Sequence, residues 1–156
     1  MERRSHEEVM FYDVLIEYQA KLFELSSENG YASEDFIRTF MYSDYAANLY
    51  CEGGWSTYNF DFYTLQMEII EDDYCVTTEG PVWEEDLMYW IGFIYRYWYF
   101  YTGDSAVKIY ETAPPAKMRD MYISYANENP DYIVDILLGR DPWEPPEVEE
   151  DWKNIY

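Results

Sequence analysis

The amino-acid sequence predicts an all-α protein: a single compact domain of six or seven helices around a central aromatic-rich helix, with an extended acidic C-terminal tail. One stretch, VWEEDLMYWIGFIYRYWYFYTG from Val82 to Gly103, is apolar on nearly every side of a helix. Helix start and stop signals recur along the rest of the chain. Only one segment alternates like a strand, and a lone strand would leave its backbone groups unsatisfied.

The central stretch predicts a buried helix. Across residues 87–101 only Gly92 and Arg96 are neither aliphatic nor aromatic. A membrane span is the alternative, but a run of fifteen residues with an internal arginine is shorter than the roughly 18 to 20 apolar residues that a bilayer requires. We therefore expect Trp90 and Trp98 to be buried. Arg96 is expected to pack on rings beside an inward carboxylate, and Gly92 to let another helix approach closely.

The first helix is predicted from its cap. Ser5 and Glu8 have the spacing of a capping box, so the helix is expected from about His6 to Ser27. Asn29-Gly30 predicts its end, because glycine adopts the left-handed conformation that terminates helices. Its expected buried face consists of Phe11, Leu15, Tyr18, Leu22 and Leu25.

The second helix is expected to begin at Ser33 as N-cap and to end at Gly53-Gly54. The following stretch is ambiguous, since its aromatic residues first alternate and then recur with helical spacing. We favour a helix from about Phe60 to Asp73. The expected buried face of the second helix consists of Phe36, Ile37, Phe40, Met41, Tyr45 and Leu49.

Three further helices are predicted after the central one, each from its start signal. A short helix through Tyr110 is expected after a cap at Asp104 or Ser105. Pro115 suits the first turn of a helix, and Asn129-Pro130 repeats that pattern. The side chains expected to face inward are Val107, Ile109, Met118, Met121, Tyr122, Tyr132, Ile133, Ile136 and Leu137.

The helical domain is expected over residues 1–139 and the tail over residues 140–156, where three of the seven prolines and six acidic residues lie. Cys51 and Cys75 are isolated, and no apolar signal region is visible at the N-terminus. These features favour a reducing cytoplasm. Pairing of the two cysteines stays open, since it depends on the separation of their Cα atoms.

The charge of the chain predicts its class of partner. Ten Lys and Arg stand against 32 Asp and Glu, a formal net charge of −22. Direct binding to nucleic-acid phosphates is therefore unfavourable, and basic proteins are the favoured partners. Disorder is excluded for the body of the chain because 49% of its residues are hydrophobic.

The acidic residues are unevenly placed. Residues 39–95 contain 11 Asp or Glu and no Lys or Arg. This segment predicts either a patch that captures a basic surface or a solvated face that keeps an aromatic-rich protein soluble. The residues predicted to bind a partner are Asp61, Glu68, Glu71, Asp72, Asp73, Glu79, Glu84, Glu85 and Asp86.

Enzyme signatures are absent from the sequence. There is no phosphate loop, dinucleotide-binding glycine pattern, HExxH or CxxC, and His6 is the only histidine. Glu68 and Glu71 have the spacing of helical carboxylate metal sites, but the histidines that accompany such sites are missing. We therefore expect no catalytic residues, no cofactor and no metal.

The run YWIGFIYRYW from Tyr89 to Trp98, with Ile109-Tyr110 after it and Phe40-Met41 before it, resembles a group of small uncharacterised proteins of Gram-positive gut bacteria, the Firmicutes. The matching part covers under a third of the chain. The group is similar to antitoxin or accessory components of mobile elements. The resemblance implies an immunity or neutralising protein, including an inhibitor of a host nuclease such as an anti-CRISPR protein.

The sequence thus leads to two hypotheses. The first is a non-enzymatic acidic protein that neutralises a basic toxin, nuclease or other nucleic-acid-binding protein by mimicking nucleic-acid charge. The alternative is a structural or regulatory helical module, oligomeric through exposed aromatic residues, whose acidity serves only solubility.

Overall fold

The computed structural model describes residues 3–50 and 76–139. The predicted all-α fold is confirmed, and these ranges contain no strand. The helices are α1 (His6–Met10), α2 (Asp13–Glu28), α3 (Ser33–Met41), α4 (Asp44–Leu49), α5 (Glu85–Thr102), α6 (Ala106–Thr112), α7 (Pro115–Tyr125) and α8 (Pro130–Leu137). The helix predicted from Phe60 to Asp73, the stop at Gly53-Gly54, both cysteines and the predicted tail lie outside the described residues.

Helix α5 is the predicted central helix, and 13 of its 18 residues are buried. Trp90 and Trp98, with 8% and 0% of their surface exposed, are among them, as expected. The helix ends at Gly103, whose φ of 81° is left-handed and whose backbone N–H donates to the Tyr99 carbonyl at 2.7 Å. The other helices surround α5, as an all-apolar helix in water requires.

Helix α2 packs directly on α5 at Gly92. A Cβ atom at this position would lie 2.8 Å from Phe23 Cγ and 2.9 Å from the Gln19 carbonyl oxygen. The buried Gln19 side chain donates to the Gly92 carbonyl at 3.0 Å and accepts from the Tyr50 hydroxyl at 2.7 Å. The predicted close helix approach at Gly92 is therefore confirmed, and a hydrogen-bonded amide fixes its register.

The prediction of one continuous first helix is wrong. The capping box at Ser5 and Glu8 is present, but α1 ends at Met10 and α2 begins at Asp13. At the break, Tyr12 has a non-helical conformation. Its ring stacks on Phe100 of α5, with centroids 4.5 Å apart and planes 6° apart.

The predicted buried face of this first segment is also largely wrong. Phe11 is 83% exposed, and Leu22 is the one predicted residue that is buried. The predicted residues Leu15, Tyr18 and Leu25 are half-buried. The buried residues of α2 are Ile16, Gln19, Ala20, Leu22, Phe23 and Ser26. Apolar side chains recur on two adjacent faces of this segment, and the close contact with α5 is made by the face that carries Gln19 and Phe23.

The second predicted helix is likewise divided, and its predicted N-cap is wrong. Ala32 occupies the cap position, while the Ser33 hydroxyl accepts a hydrogen bond from the Trp83 backbone N–H at 2.7 Å. Ser43 separates α3 from α4 and caps α4 by accepting from the Ala46 N–H at 3.1 Å. The predicted buried face is confirmed except at Tyr45, which is half-buried.

The later helices begin where their caps predict. Ser105 caps α6, which runs to Thr112, two residues beyond the predicted end. Pro115 and Pro130 occupy the first turns of α7 and α8. Of the residues expected to face inward, Ile109, Met118, Ile133 and Leu137 are buried, whereas Val107, Met121, Tyr122, Tyr132 and Ile136 are half-buried. The described residues contain eight helices, more than predicted, because the first two are each divided.

Arg96 is 1% exposed in the middle of α5. Its guanidinium carbon lies 4.7 to 5.3 Å from the ring centroids of Tyr50, Tyr99 and Phe100, and the guanidinium donates to the Leu49 carbonyl at 2.9 Å. The predicted packing against rings is confirmed. The expected carboxylate partner stays a prediction.

Candidate functional site

The N-terminus of α5 carries three adjacent carboxylates. Glu84 is the N-cap residue, and Glu85 and Asp86 lie in the first turn, where the helix dipole favours negative charge. All three are exposed, as is Glu79 in the preceding loop. The other predicted partner-binding residues, Asp61, Glu68, Glu71, Asp72 and Asp73, lie outside the described residues.

An open groove of about 530 Å³ begins beside these carboxylates. It runs between α2, α5 and the C-terminal end of α7. The residues that line it are Lys21, Glu24, Asp86, Tyr89, Trp90, Phe93, Tyr122, Ala126 and Asn127. Of the predicted site residues that the structure describes, Asp86 alone lines the groove. The groove therefore has Asp86, from the acidic start of α5, at one end and the aromatic side chains of Tyr89, Trp90, Phe93 and Tyr122 as its aromatic wall.

Two rings of the aromatic wall, Tyr89 and Phe93, belong to a longer series of rings on one face of α5. Tyr89, Phe93, Tyr97 and Tyr101 recur every four residues, so their rings follow one another along the helix. Successive ring centroids are 6.5, 6.4 and 5.9 Å apart, and the first two pairs are stacked. We call this series the aromatic ladder.

The two halves of the aromatic ladder differ in exposure. Tyr89 and Phe93 are half-buried and line the groove, and we call them the open half. Tyr97 and Tyr101, the closed half, are buried, with 0% and 8% of their surface exposed. On the other side of the groove, Tyr122 meets Trp90 edge to face, with centroids 5.4 Å apart.

The closed half lies beneath the N-terminal segment and beside α8. The Arg3 guanidinium lies 5.1 Å from the centroid of the Tyr101 ring and forms an ion pair with Asp135. The Tyr101 hydroxyl lies 3.2 Å from the Asp135 carboxylate, and His6 Nδ1 lies 2.8 Å from the Tyr97 hydroxyl. At this end of the aromatic ladder, a cation, a ring and a carboxylate are therefore in mutual contact.

At the open half, Lys21 is the only basic side chain among the described lining residues. Its Nζ donates to Glu24 Oε1 at 3.2 Å and lies 5.8 Å from the centroid of the Tyr89 ring. Burial raises the pKa of the Tyr89 hydroxyl, and the carboxylates of Glu17 and Glu24 raise it further, against the opposing effect of Lys21. The surroundings of Tyr89 therefore keep its phenol neutral.

The sequence does not by itself predict the open half. Residues 87–101 are apolar all round, and that pattern predicted burial for every ring. The four-residue recurrence of Tyr89, Phe93, Tyr97 and Tyr101 is visible in the sequence and places the rings on one face. That signal does not show that neighbouring helices leave the first two rings accessible.

Within residues 3–50 and 76–139, no three His, Cys, Asp or Glu side chains lie close enough together to hold a metal ion. No helix in these ranges combines the length and the hydropathy needed to cross a bilayer. Besides the ammonium of Lys21, the groove contains carboxylates, phenols and an indole, groups suited to binding cations and apolar surface.

Comparisons with protein families, with curated proteins and with solved structures find no match for this chain. The resemblance of the central helix to the Firmicutes group therefore stays a prediction.

Proposed function

We propose that this chain is a non-enzymatic acidic binding protein that neutralises a basic protein partner in the cytoplasm, such as a toxin, a nuclease or another nucleic-acid-binding protein. The observation that carries the proposal is the groove, because it places the carboxylates of Glu24 and Asp86 beside accessible rings. The resemblance to antitoxin-like proteins is consistent with this role. A charge of −22 opposes direct binding to nucleic acid.

The two components of the groove have different roles in this proposal. Exposed carboxylates steer a basic partner and raise the association rate, and they contribute less to the final affinity. Aromatic side chains supply the contact area at which binding energy concentrates. The acidic start of α5 would therefore govern encounter, while Tyr89, Phe93 and Tyr122 would govern the lifetime of the complex.

The test is affinity capture from the source organism with two baits, the wild-type chain and a variant with the substitutions Glu84→Gln, Glu85→Gln and Asp86→Asn. We expect a basic partner that the wild type retains and the variant loses. The matched control neutralises Glu7, Glu111 and Asp120, three exposed carboxylates outside the groove and outside residues 39–95, and should retain the partner.

The association rate of the captured partner is then measured against ionic strength. It should fall steeply with added salt, because interactions between exposed charges weaken as the Debye length shortens to about 8 Å at physiological salt. A rate that is independent of salt would exclude electrostatic capture as the function of the acidic surface.

The second candidate function is an oligomeric helical module, and exposed apolar side chains favour it. Phe11 and Val14, three residues apart in the chain, are 83% and 54% exposed, while Ile123 of α7 is 91% exposed. Sedimentation equilibrium with the wild type and with Phe11→Ser tests it. A concentration-dependent dimer that the substitution abolishes would favour this module, whereas a monomer would favour the binding protein.

A further inference from the structure

We propose that the groove is a binding site for one arginine side chain of the partner. The guanidinium lies on the open half of the aromatic ladder, over Tyr89 and Phe93, and pairs with the carboxylates of Glu24 and Asp86. This inference rests on the proposed function, since it specifies which group of a basic protein the groove binds. Lys21 occupies part of the site in the free chain and leaves when the arginine enters.

The closed half of the aromatic ladder shows the same recognition within the protein. There the Arg3 guanidinium lies 5.1 Å from the centroid of the Tyr101 ring, pairs with Asp135 and donates to the Tyr101 hydroxyl at 3.2 Å. The open half has the corresponding groups, namely rings in the same series and carboxylates that line the same groove. It differs in being accessible from solvent.

Cations on rings are a recurrent feature of this protein. In the part of the chain that the structure describes, five of the eight Lys and Arg side chains lie within about 6 Å of a ring centroid, the distance at which a cation is attracted to a ring face. The five are Arg3, Arg4, Lys21, Arg96 and Arg119; the others are Arg38, Lys108 and Lys117.

Lys21 is a weak occupant of the site. Its side chain is 53% exposed, and its Nζ lies 5.8 Å from the Tyr89 centroid, near the limit of about 6 Å for a useful cation–π contact. Its ion pair with Glu24 is a solvated pair within one helix, a kind that contributes little to stability. Lys21 can therefore leave at small cost.

An arginine suits the same surroundings better than a lysine does. The guanidinium is planar and weakly hydrated, so it stacks on a ring while donating two parallel hydrogen bonds to a carboxylate. The groove offers flat rings on α5 and carboxylates on both α2 and α5. A lysine ammonium is a compact, strongly hydrated charge. It can pair with the carboxylates, but it cannot stack flat on the rings as a guanidinium does.

The test is a titration of the full chain with a short blocked peptide that holds one arginine between glycines and serines, followed by NMR. Two matched peptides carry citrulline, the neutral analogue of arginine, or lysine at that position. We expect the arginine peptide to shift the Trp90 indole N–H and the backbone amides of residues 86–93. Citrulline should bind at least about tenfold more weakly, which corresponds to about 1.4 kcal/mol, and lysine should lie between them.

Three variants locate the site. Phe93→Leu keeps an apolar side chain and removes the ring, so the arginine peptide should bind about tenfold more weakly. Lys21→Met removes the resident cation and should strengthen binding several-fold. Lys117→Met makes the same change of net charge at an exposed position of α7 outside the groove and should leave the affinity unchanged. Far-ultraviolet circular dichroism establishes that each variant is folded.

Equal binding of the arginine and citrulline peptides, shifts that map outside the groove, or equal gains from the two lysine variants would each overturn the inference. These outcomes are distinct from failure of the proposed function. If a captured partner still required the carboxylates of α5 while the arginine peptide failed, only the inference would fall. If the peptide bound in the groove while the association rate of the partner did not change with ionic strength, only the proposed function would be contradicted.

Discussion

At the scale of single residues, Gly92 decides how closely α2 approaches α5. The atoms around its missing Cβ include Phe23 Cγ at 2.8 Å and the Gln19 backbone oxygen at 2.9 Å. The Gln19 oxygen cannot move without displacing the whole of α2. The contact also orients Gln19, which links both helices to Tyr50. Position 92 therefore has no room for a side chain.

The substitution Gly92→Ala tests this packing, because the sign of the change in unfolding free energy depends on whether α2 can move away. In an ordinary helix the change stabilises by about 1 kcal/mol, because alanine has the higher helix propensity. Here we expect the free energy of unfolding to fall by roughly 1 to 3 kcal/mol, as in other overpacked cores. Urea unfolding measures it, with the exposed Ser124→Ala as control. A gain in stability would show that α2 moves aside easily.

Trp98 is the largest fully buried side chain among the described residues, and its indole N–H donates to Asp104 Oδ2 at 3.0 Å. Trp98→Ala should lower the free energy of unfolding by roughly 3 to 5 kcal/mol, since the ring leaves a cavity. Thermal unfolding measures the effect. The control is Ile123→Ala, an apolar truncation at a residue that is 91% exposed, which should leave the melting temperature nearly unchanged. An unchanged melting temperature for Trp98→Ala would contradict the central packing.

At the scale of elements, the start of α5 is positioned by hydrogen bonds between the preceding segment and α3. The backbone N–H of Ala32 donates to the Thr77 carbonyl at 2.9 Å, and that of Ser33 donates to the Pro81 carbonyl at 3.0 Å. The Ser33 hydroxyl in turn accepts from the Trp83 N–H at 2.7 Å. These bonds place the carboxylates of α5 beside the groove.

Substitution Ser33→Ala tests this docking. It leaves the buried Trp83 N–H without its acceptor, which should cost roughly 1 to 3 kcal/mol. The α3 helix itself should persist, because Ser33 is not its N-cap. Hydrogen exchange by NMR should show the Trp83 amide losing more protection than the amides within α5. Equal loss at all of these amides would mean that the bond has no local role.

At the scale of the whole molecule, tyrosines form much of the core. Burial raises the pKa of the hydroxyls of Tyr50, Tyr95, Tyr97 and Tyr101 above the ordinary value. For Tyr97 the charges of Asp131, Tyr101 and Asp135 raise it further. The folded state therefore binds the phenolic protons more tightly than the unfolded state does.

This difference predicts unfolding in alkali. A pKa raised in the folded state contributes stability that is fully present below the unfolded value of about 10 and is lost as the pH rises above it. We therefore expect phenolate absorbance and helical circular dichroism to change in one cooperative transition above about pH 10. Retention of the helical signal while every tyrosine titrates near its ordinary pKa would contradict the buried arrangement.

The sequence by itself determined those features whose causes are local. The left-handed glycine after α5 and the prolines in the first turns of α7 and α8 depend only on the residues beside them, whereas the sequence left the cap of α6 open between Asp104 and Ser105. The burial of Trp90 and Trp98 also followed from the sequence, because an apolar run of this length requires cover in water. The net charge likewise predicts a basic partner without reference to the fold.

Only the tertiary structure decided features that depend on a second element. At the break between α1 and α2 the Tyr12 ring stacks on Phe100 of α5, and the Ser33 hydroxyl accepts from the Trp83 N–H instead of capping its own helix. The groove exists because α2 and the end of α7 lie on either side of Tyr89 and Phe93 and leave both rings half-buried. Hydrophobic periodicity records which side chains can be buried, whereas the lengths and positions of the neighbouring helices determine which of them are.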